Sequence, residues 1–138
     1  MNRYLLDTTV LIDLSKSYRA TEDALKSLVA GGGVPGVCAV CVAEFLAGVP
    51  PLWRQTWEQW IADFTYWEIS VEAAALAGAW HFDLAREGRT IHVADALMAA
   101  TALETDATLL TNNIKDFPIQ GVRLLRLGRA RFPVGSSM

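Results

Sequence analysis

Cysteine, histidine and basic charge are all scarce in this chain. Two cysteines and two histidines among 138 residues cannot build a disulfide framework, and with no histidine near them the cysteines make a poor zinc site. No uncharged apolar run reaches the roughly 20 residues that a membrane-spanning helix needs. Asp7 and Asp13 break up the N-terminal apolar stretch, so no signal-peptide core is visible. The expected compartment is therefore the cytoplasm, with both thiols reduced and no membrane partner. Twelve Lys and Arg against 15 Asp and Glu leave a net charge of −3, which disfavours an ordinary basic nucleic-acid-binding surface. The shortage of basic charge is uneven. Arg123, Arg126, Arg129 and Arg131 give the last 17 residues +4 with no acid, so the first 121 carry 8 bases against 15 acids. That arginine cluster reads either as a solvated tail or as a phosphate contact.

Apolar residues, by contrast, are plentiful. A hydrophobic fraction of 52% with 20% charged residues excludes intrinsic disorder. The length suits one domain with one core, spanning residues 1–138 with a C-terminal tail from about 128. Arg3–Leu6 predicts a short buried strand, followed by a helix whose N-cap signal is Thr8-Thr9. A second helix is expected over Thr21–Val29, stopped by Gly31-Gly32-Gly33. Val34–Val40 predicts a strand, Val42–Ala47 and Leu52–Phe64 predict helices, and Tyr66–Ile69 a strand. Ser70 caps a helix over Val71–Glu87, closed by Gly88. Val93–Glu104 predicts the last helix, and Thr108–Leu110 and Val122–Leu127 the last strands. Alternating strands and helices imply an α/β fold with a parallel sheet covered on both faces. The functional crevice of such folds lies at the carboxyl ends of the strands.

Four acids occupy that edge. Asp7 ends the first strand, Glu44 lies in the helix after the second, Asp95 near the start of the last helix, and Asp116 in the loop after Thr108–Leu110. Their neighbours are apolar, and a carboxylate in such a setting costs free energy unless it is paired or bound to a cation. Each acid alone reads as a cap or a surface residue. Four together, with no matching lysines, point to a hard divalent cation, Mg²⁺ or Mn²⁺, and to phosphodiester hydrolysis.

The segments Leu5–Leu14 (LLDTTVLIDL), Val42–Gly48 (VAEFLAG), Val93–Ala100 (VADALMAA) and Leu110–Pro118 (LTNNIKDFP) resemble the four motifs of PIN-domain ribonucleases, in particular the VapC-type toxins of toxin–antitoxin modules. The resemblance implies an α/β/α sandwich around a mostly parallel sheet of about five strands. It implies an Mg²⁺- or Mn²⁺-dependent endoribonuclease acting on structured RNA such as tRNA or rRNA, leaving 5′-phosphate and 3′-hydroxyl ends. It also implies a cognate VapB-like antitoxin and a homodimer or toxin–antitoxin hetero-oligomer. On that pattern Asp7, Glu44, Asp95 and Asp116 are the catalytic acids, with Asp7, Asp95 and Asp116 on the metal. Thr8 or Thr9 matches a hydroxyl beside the first acid, and Asn112 and Asn113 match polar positions before the fourth. Asn113 and Asp116 both remain candidates for the fourth position. Asp13 reads as a surface or capping group. A PIN-domain RNA-processing nuclease outside a toxin system is the alternative within the family.

Other residues are read two ways. Cys38-Ala-Val-Cys41 has the spacing of a thioredoxin-like redox pair, but it lacks that family's flanking Trp and Pro and reads better as buried small residues. Arg86 and Arg89 lie just ahead of Asp95, as phosphate contacts or a solvated loop. His92 reads as a cap or surface group, and His81 as structural. Trp53, Trp57 and Trp60 share one helical stripe, which is either core or a groove for an antitoxin helix or a second copy.

Overall fold

The structure, a computed structural model, describes residues 2–127. The expected tail, with Arg129 and Arg131, lies outside the described residues. Five strands, β1 (Arg3–Leu6), β2 (Val34–Val37), β3 (Thr65–Tyr66), β4 (Ala107–Leu110) and β5 (Leu124–Leu125), form one sheet in the order β3-β2-β1-β4-β5, with every neighbouring pair parallel. The helices are α1 (Thr8–Ser15), α2 (Arg19–Ala30), α3 (Ala39–Ala47), α4 (Pro51–Ile61), α5 (Val71–Arg86) and α6 (Val93–Glu104).

β1 sits at the centre, with Leu5 facing Gly36 on one side and Leu109 on the other. A strand buried on both faces needs an unbroken apolar run, and Leu5, Leu6, Leu109 and Leu110 are fully buried. The chain builds β1, β2 and β3 outwards in one direction, then crosses back to place β4 on the other side of β1. That reversal opens a crevice beyond the carboxyl ends of β1 and β4.

α6 is packed on two sides. Met98, Ala99 and Ala102 join the main core, while Ala96 and Ala100 join Ala73, Ala77 and Leu84 of α5 in a second cluster. Small side chains allow that close approach of helices. Ser70 caps α5 as expected, its Oγ accepting from the Ala73 N–H at 2.9 Å, and Gly88 ends it with a positive φ of 75°.

The strands are shorter than the apolar runs that announce them. Val34–Val40 yields only Val34–Val37, because Cys38 caps α3 and the helix takes the residues from Ala39 onwards. Tyr66–Ile69 gives way to Thr65–Tyr66, and Val122–Leu127 to Leu124–Leu125. These outer strands pair only where β2 and β4 offer partners. The cap of α1 is Asp7 rather than a threonine, because its N–H is still paired with Leu110 O at 2.9 Å and the helix begins where that pairing ends.

Gly36 admits the Trp67 ring against β2, and a Cβ there would run into the indole. Gly36→Ala is expected to lower stability by about 1–3 kcal/mol through overpacking. Denaturant unfolding checks this, and an unchanged midpoint would mean that Trp67 turns aside freely.

Candidate active site

Asp7 is the first residue past β1 and is 4% exposed. Its Oδ2 accepts hydrogen bonds from Thr111 Oγ1 at 2.7 Å and Thr9 Oγ1 at 3.0 Å. Burial pushes its carboxyl above the ordinary carboxylate value, and the charge of Glu44 adds to the rise. The hydrogen bonds from Thr111, Thr9 and the Thr8 backbone oppose it.

Glu44 stands exposed on α3. Its Oε1 accepts from Thr8 Oγ1 at 2.6 Å, which ties α3 to α1. The two adjacent threonines therefore serve different acids, Thr8 holding Glu44 and Thr9 holding Asp7. Asp95 lies in the first turn of α6. Burial, then the charges of Asp7, Asp116 and Glu44, push it up to about 6, with His92 pulling the other way. Asp116 closes a 3₁₀ turn over Ile114–Asp116. Asp95 thus feels the charge of the three other acids, and no Lys or Arg forms an ion pair with any of the four among the described residues.

Those residues nevertheless contain no group of three or more His, Cys, Asp or Glu side chains arranged to hold a metal ion. Asp7, Asp95 and Asp116 are electrostatic neighbours, not yet a closed ligand set. Glu44 and Asp7 are held by their threonines. In kind the donors fit a hard cation well: four carboxylates, beside hydroxyls, at a half-buried edge.

The other candidates scatter. Asn113 is exposed, its N–H bonded to Thr111 Oγ1 at 3.0 Å. Asn112 is 8% exposed and turned inward. Arg89 reaches the loop beyond Asp116, donating to Pro118 O at 3.3 Å, and also pairs with Glu87 at 3.6 Å. Arg86 lies over the Phe82 ring. Of the C-terminal arginines, Arg126 comes to the carboxyl edge and donates to Asn112 O at 3.1 Å, whereas Arg123 pairs with Asp106 at 3.1 Å at the start of β4. His81 Nδ1–H donates to Ile91 O at 2.9 Å, in a structural role.

The PIN-domain family model matches residues 4–118. The chain belongs to the PIN-domain family. Ribonuclease VapC19 of Mycobacterium tuberculosis is 30% identical over 119 residues, 83% of this chain and 92% of that protein, which puts this PIN domain among the VapC ribonucleases. Two solved structures share its fold. VapBC2 from Rickettsia felis, bound to a promoter DNA fragment, matches with a TM-score of 0.78 at 24% identity, covering 90% of this chain and 98% of that one. VapBC-1 from nontypeable Haemophilus influenzae matches with 0.78 at 21% identity, covering 91% and 98%. No helix among the described residues of this PIN domain is long and apolar enough to cross a membrane.

Two contributors escape the linear sequence. Thr111 shares Oδ2 of Asp7 across 104 positions. Asp13, read as a surface or capping group, is 2% exposed and accepts from Asn112 Nδ2 at 2.6 Å. Its place on α1 faces the loop after β4, a contact no local pattern announces. Cys38 and Cys41 are free and fully buried, Sγ to Sγ 3.5 Å. Their hydrogen bond draws Cys38 down to about 7 and pushes Cys41 up, but neither sulfur faces solvent as an exchanging redox pair requires.

The crowding of acids gives the metal-free protein a pH signature. Folded, Asp95 keeps its proton up to about pH 6; the unfolded chain releases it near the ordinary carboxylate value. Between those values the folded state binds more protons, so stability from this group rises as pH falls from 6 towards 4 and is lost as pH rises through 6. Thermal unfolding in EDTA should show the melting temperature rising over that interval. Asp95→Asn should flatten the rise and stabilise the protein above pH 6. An equal slope in both proteins would reject the assignment.

Proposed function

We propose that this PIN domain is a divalent-metal-dependent endoribonuclease, the toxin of a VapBC-type toxin–antitoxin module, cleaving structured RNA of the tRNA or rRNA class. The observation that carries the reading is the set of four acids at the carboxyl edge of the sheet, where Asp95 is lifted by burial and by the other three charges with no Lys or Arg ion-paired to any of them among the described residues. That is an environment suited to an added cation. Asp7, Asp95 and Asp116 would hold Mg²⁺ or Mn²⁺, which supplies a water of lowered pKa and offsets charge on the phosphate. Glu44, held by Thr8, would orient the attacking water. Thr9 and Thr111 keep Asp7 fixed and favour its charged form. Asn113, on the loop before Asp116, and Arg89, which reaches Pro118 O from the α5–α6 connection, stand where RNA phosphate would approach.

The partner reading rests on a groove of about 310 Å³ beside Glu44, lined by Ile12, Lys16, Phe45, Val49 and Trp53 among others. Trp57 and Trp60 pack against each other and against Phe45, and Trp60 against Phe64, so both are half-buried against the core, with Trp57 also lining the groove. Trp53 and Leu52, at 54% and 83% exposed, face outward. Apolar walls ending at an acid suit an apolar segment of an antitoxin that carries a basic residue. The solved structures of the same fold are themselves VapBC structures, which supports an antitoxin as the occupant.

Asp7→Asn should lower RNA cleavage by about 100-fold or more while leaving the circular dichroism unchanged. Excess EDTA should abolish cleavage by the unaltered protein, and Mn²⁺ should restore it. Full activity of Asp7→Asn, or full activity in EDTA, overturns the reading. For the partner, Trp53→Ala should weaken binding of the antitoxin encoded beside this chain by about tenfold or more, as an interface aromatic does, with unchanged thermal unfolding. Unchanged affinity places the interface elsewhere.

A further inference from the structure

Asp13 and Asn112 form a buried polar pair that the proposed chemistry does not use. They come from the second turn of α1 and from the loop after β4, 99 positions apart. Buried polar groups are retained at a cost unless they are matched. Here the match is close: Asn112 Nδ2 donates to Asp13 Oδ2 at 2.6 Å. The opposite amide orientation would set two acceptors against each other. Asn112 Oδ1 in turn has no hydrogen-bond partner among the described residues, so the amide is oriented for Asp13 and not for its own saturation.

Asn112 is also the hinge of the site's loop. Its N–H points to Thr9 Oγ1 at 3.5 Å and its C=O accepts from Arg126. The residue before it, Thr111, grips Asp7. The residue after it, Asn113, donates to Thr111 Oγ1 and accepts from the Asp116 N–H at 2.9 Å. α1 thus holds this loop at two points: at its N-cap through Asp7, and one turn and a half later through Asp13. One point of attachment would let the loop pivot, whereas two set its direction.

We infer that Asp13 is a positioning residue, acting through Asn112 to set Thr111 and Asp116 against Asp7. The inference rests on the site assigned under the proposed function, but its first readout does not need activity. In Asp13→Ala, hydrogen exchange at the Asn113 and Asp116 amides should quicken by about tenfold or more, while the Leu5 and Asp7 amides of the β1 edge keep their protection. In the same variant kcat for RNA cleavage should fall by about 10- to 100-fold with KM within about threefold, the mark of a misplaced group. Asp13→Asn keeps an acceptor opposite Nδ2 and should stay within about threefold of the unaltered protein in both readouts.

Asn112→Asp sets two carboxylates against each other and should loosen the loop, and joining it to Asp13→Asn should restore protection and kcat. This pair of variants carries the test if Asp13→Ala fails to fold. Exchange rising equally in β1 and in the loop overturns the inference, because the pair is then merely structural. So does a joined variant as impaired as Asn112→Asp alone, or an Asp13→Asn as damaging as Asp13→Ala. If the unaltered protein cleaves no RNA, the activity reading fails, and the exchange result alone decides on the pair.

Discussion

Like-charge crowding at the carboxyl edge of β1 and β4 is the constraint around which the rest is arranged. Four acids lie within electrostatic reach there, without a lysine or arginine ion-paired to them among the described residues. Such a cluster tends to push itself apart or to take up protons. What holds Asp7 in place is a set of hydroxyls and backbone groups: Thr111, Thr9, the Thr8 N–H and the pairing of its own N–H with Leu110. Asp7 is kept at its post by neutral donors, which favour its charged form without cancelling the charge. An arginine in their place would satisfy the carboxylate and leave nothing for a cation to do.

The same constraint explains where the basic residues go. Arg123 is spent on Asp106 and Thr108 at the far edge of the sheet. Arg89 and Arg126 reach the active edge only through backbone carbonyls, Pro118 O and Asn112 O. Neither is ion-paired with any of the four acids among the described residues; Arg89 pairs instead with Glu87. The net charge of −3 therefore does not measure affinity for a polyanion. Four of the 15 acids gather at one edge, and two divalent ions there, if both bind, would move the formal charge from −3 to +1.

What could be read from the chain was what local physics decides. β1 and α6 have the bounds that their apolar periodicity and flanking caps announce, and the Ser70 cap is a short-range hydrogen bond. The four acids were visible because each lies shortly after a strand or near the start of a helix, although Glu44 sits in the second turn of α3, which begins at Ala39. Contacts across the fold were not. Asp13 stands on α1 with an apolar residue on either side, Ile12 and Leu14, and nothing nearby says that Asn112 will meet it. Thr111 follows the expected Thr108–Leu110 strand with no role of its own, and its grip on Asp7 appears only once β4 lies beside β1. The 3₁₀ turn before Phe117 was unreadable for a related reason, since one turn stabilised by a buried Phe117 leaves no periodic signal.

The Cys38–Cys41 spacing shows how one short pattern serves two physical ends. A residue at the N-cap and another three positions on lie together at the start of any helix, and that proximity is what a redox pair exploits. At α3 the same proximity buries both sulfurs against the core beneath Asp7 and Glu44. The nearby carboxylates raise the cost of a thiolate in either cysteine. Their mutual hydrogen bond is the larger influence, drawing Cys38 down and pushing Cys41 up, and what separates the pair from a redox site is that neither sulfur reaches solvent. The pair's contribution is packing: both small polarizable side chains belong to the main core where α3 meets it.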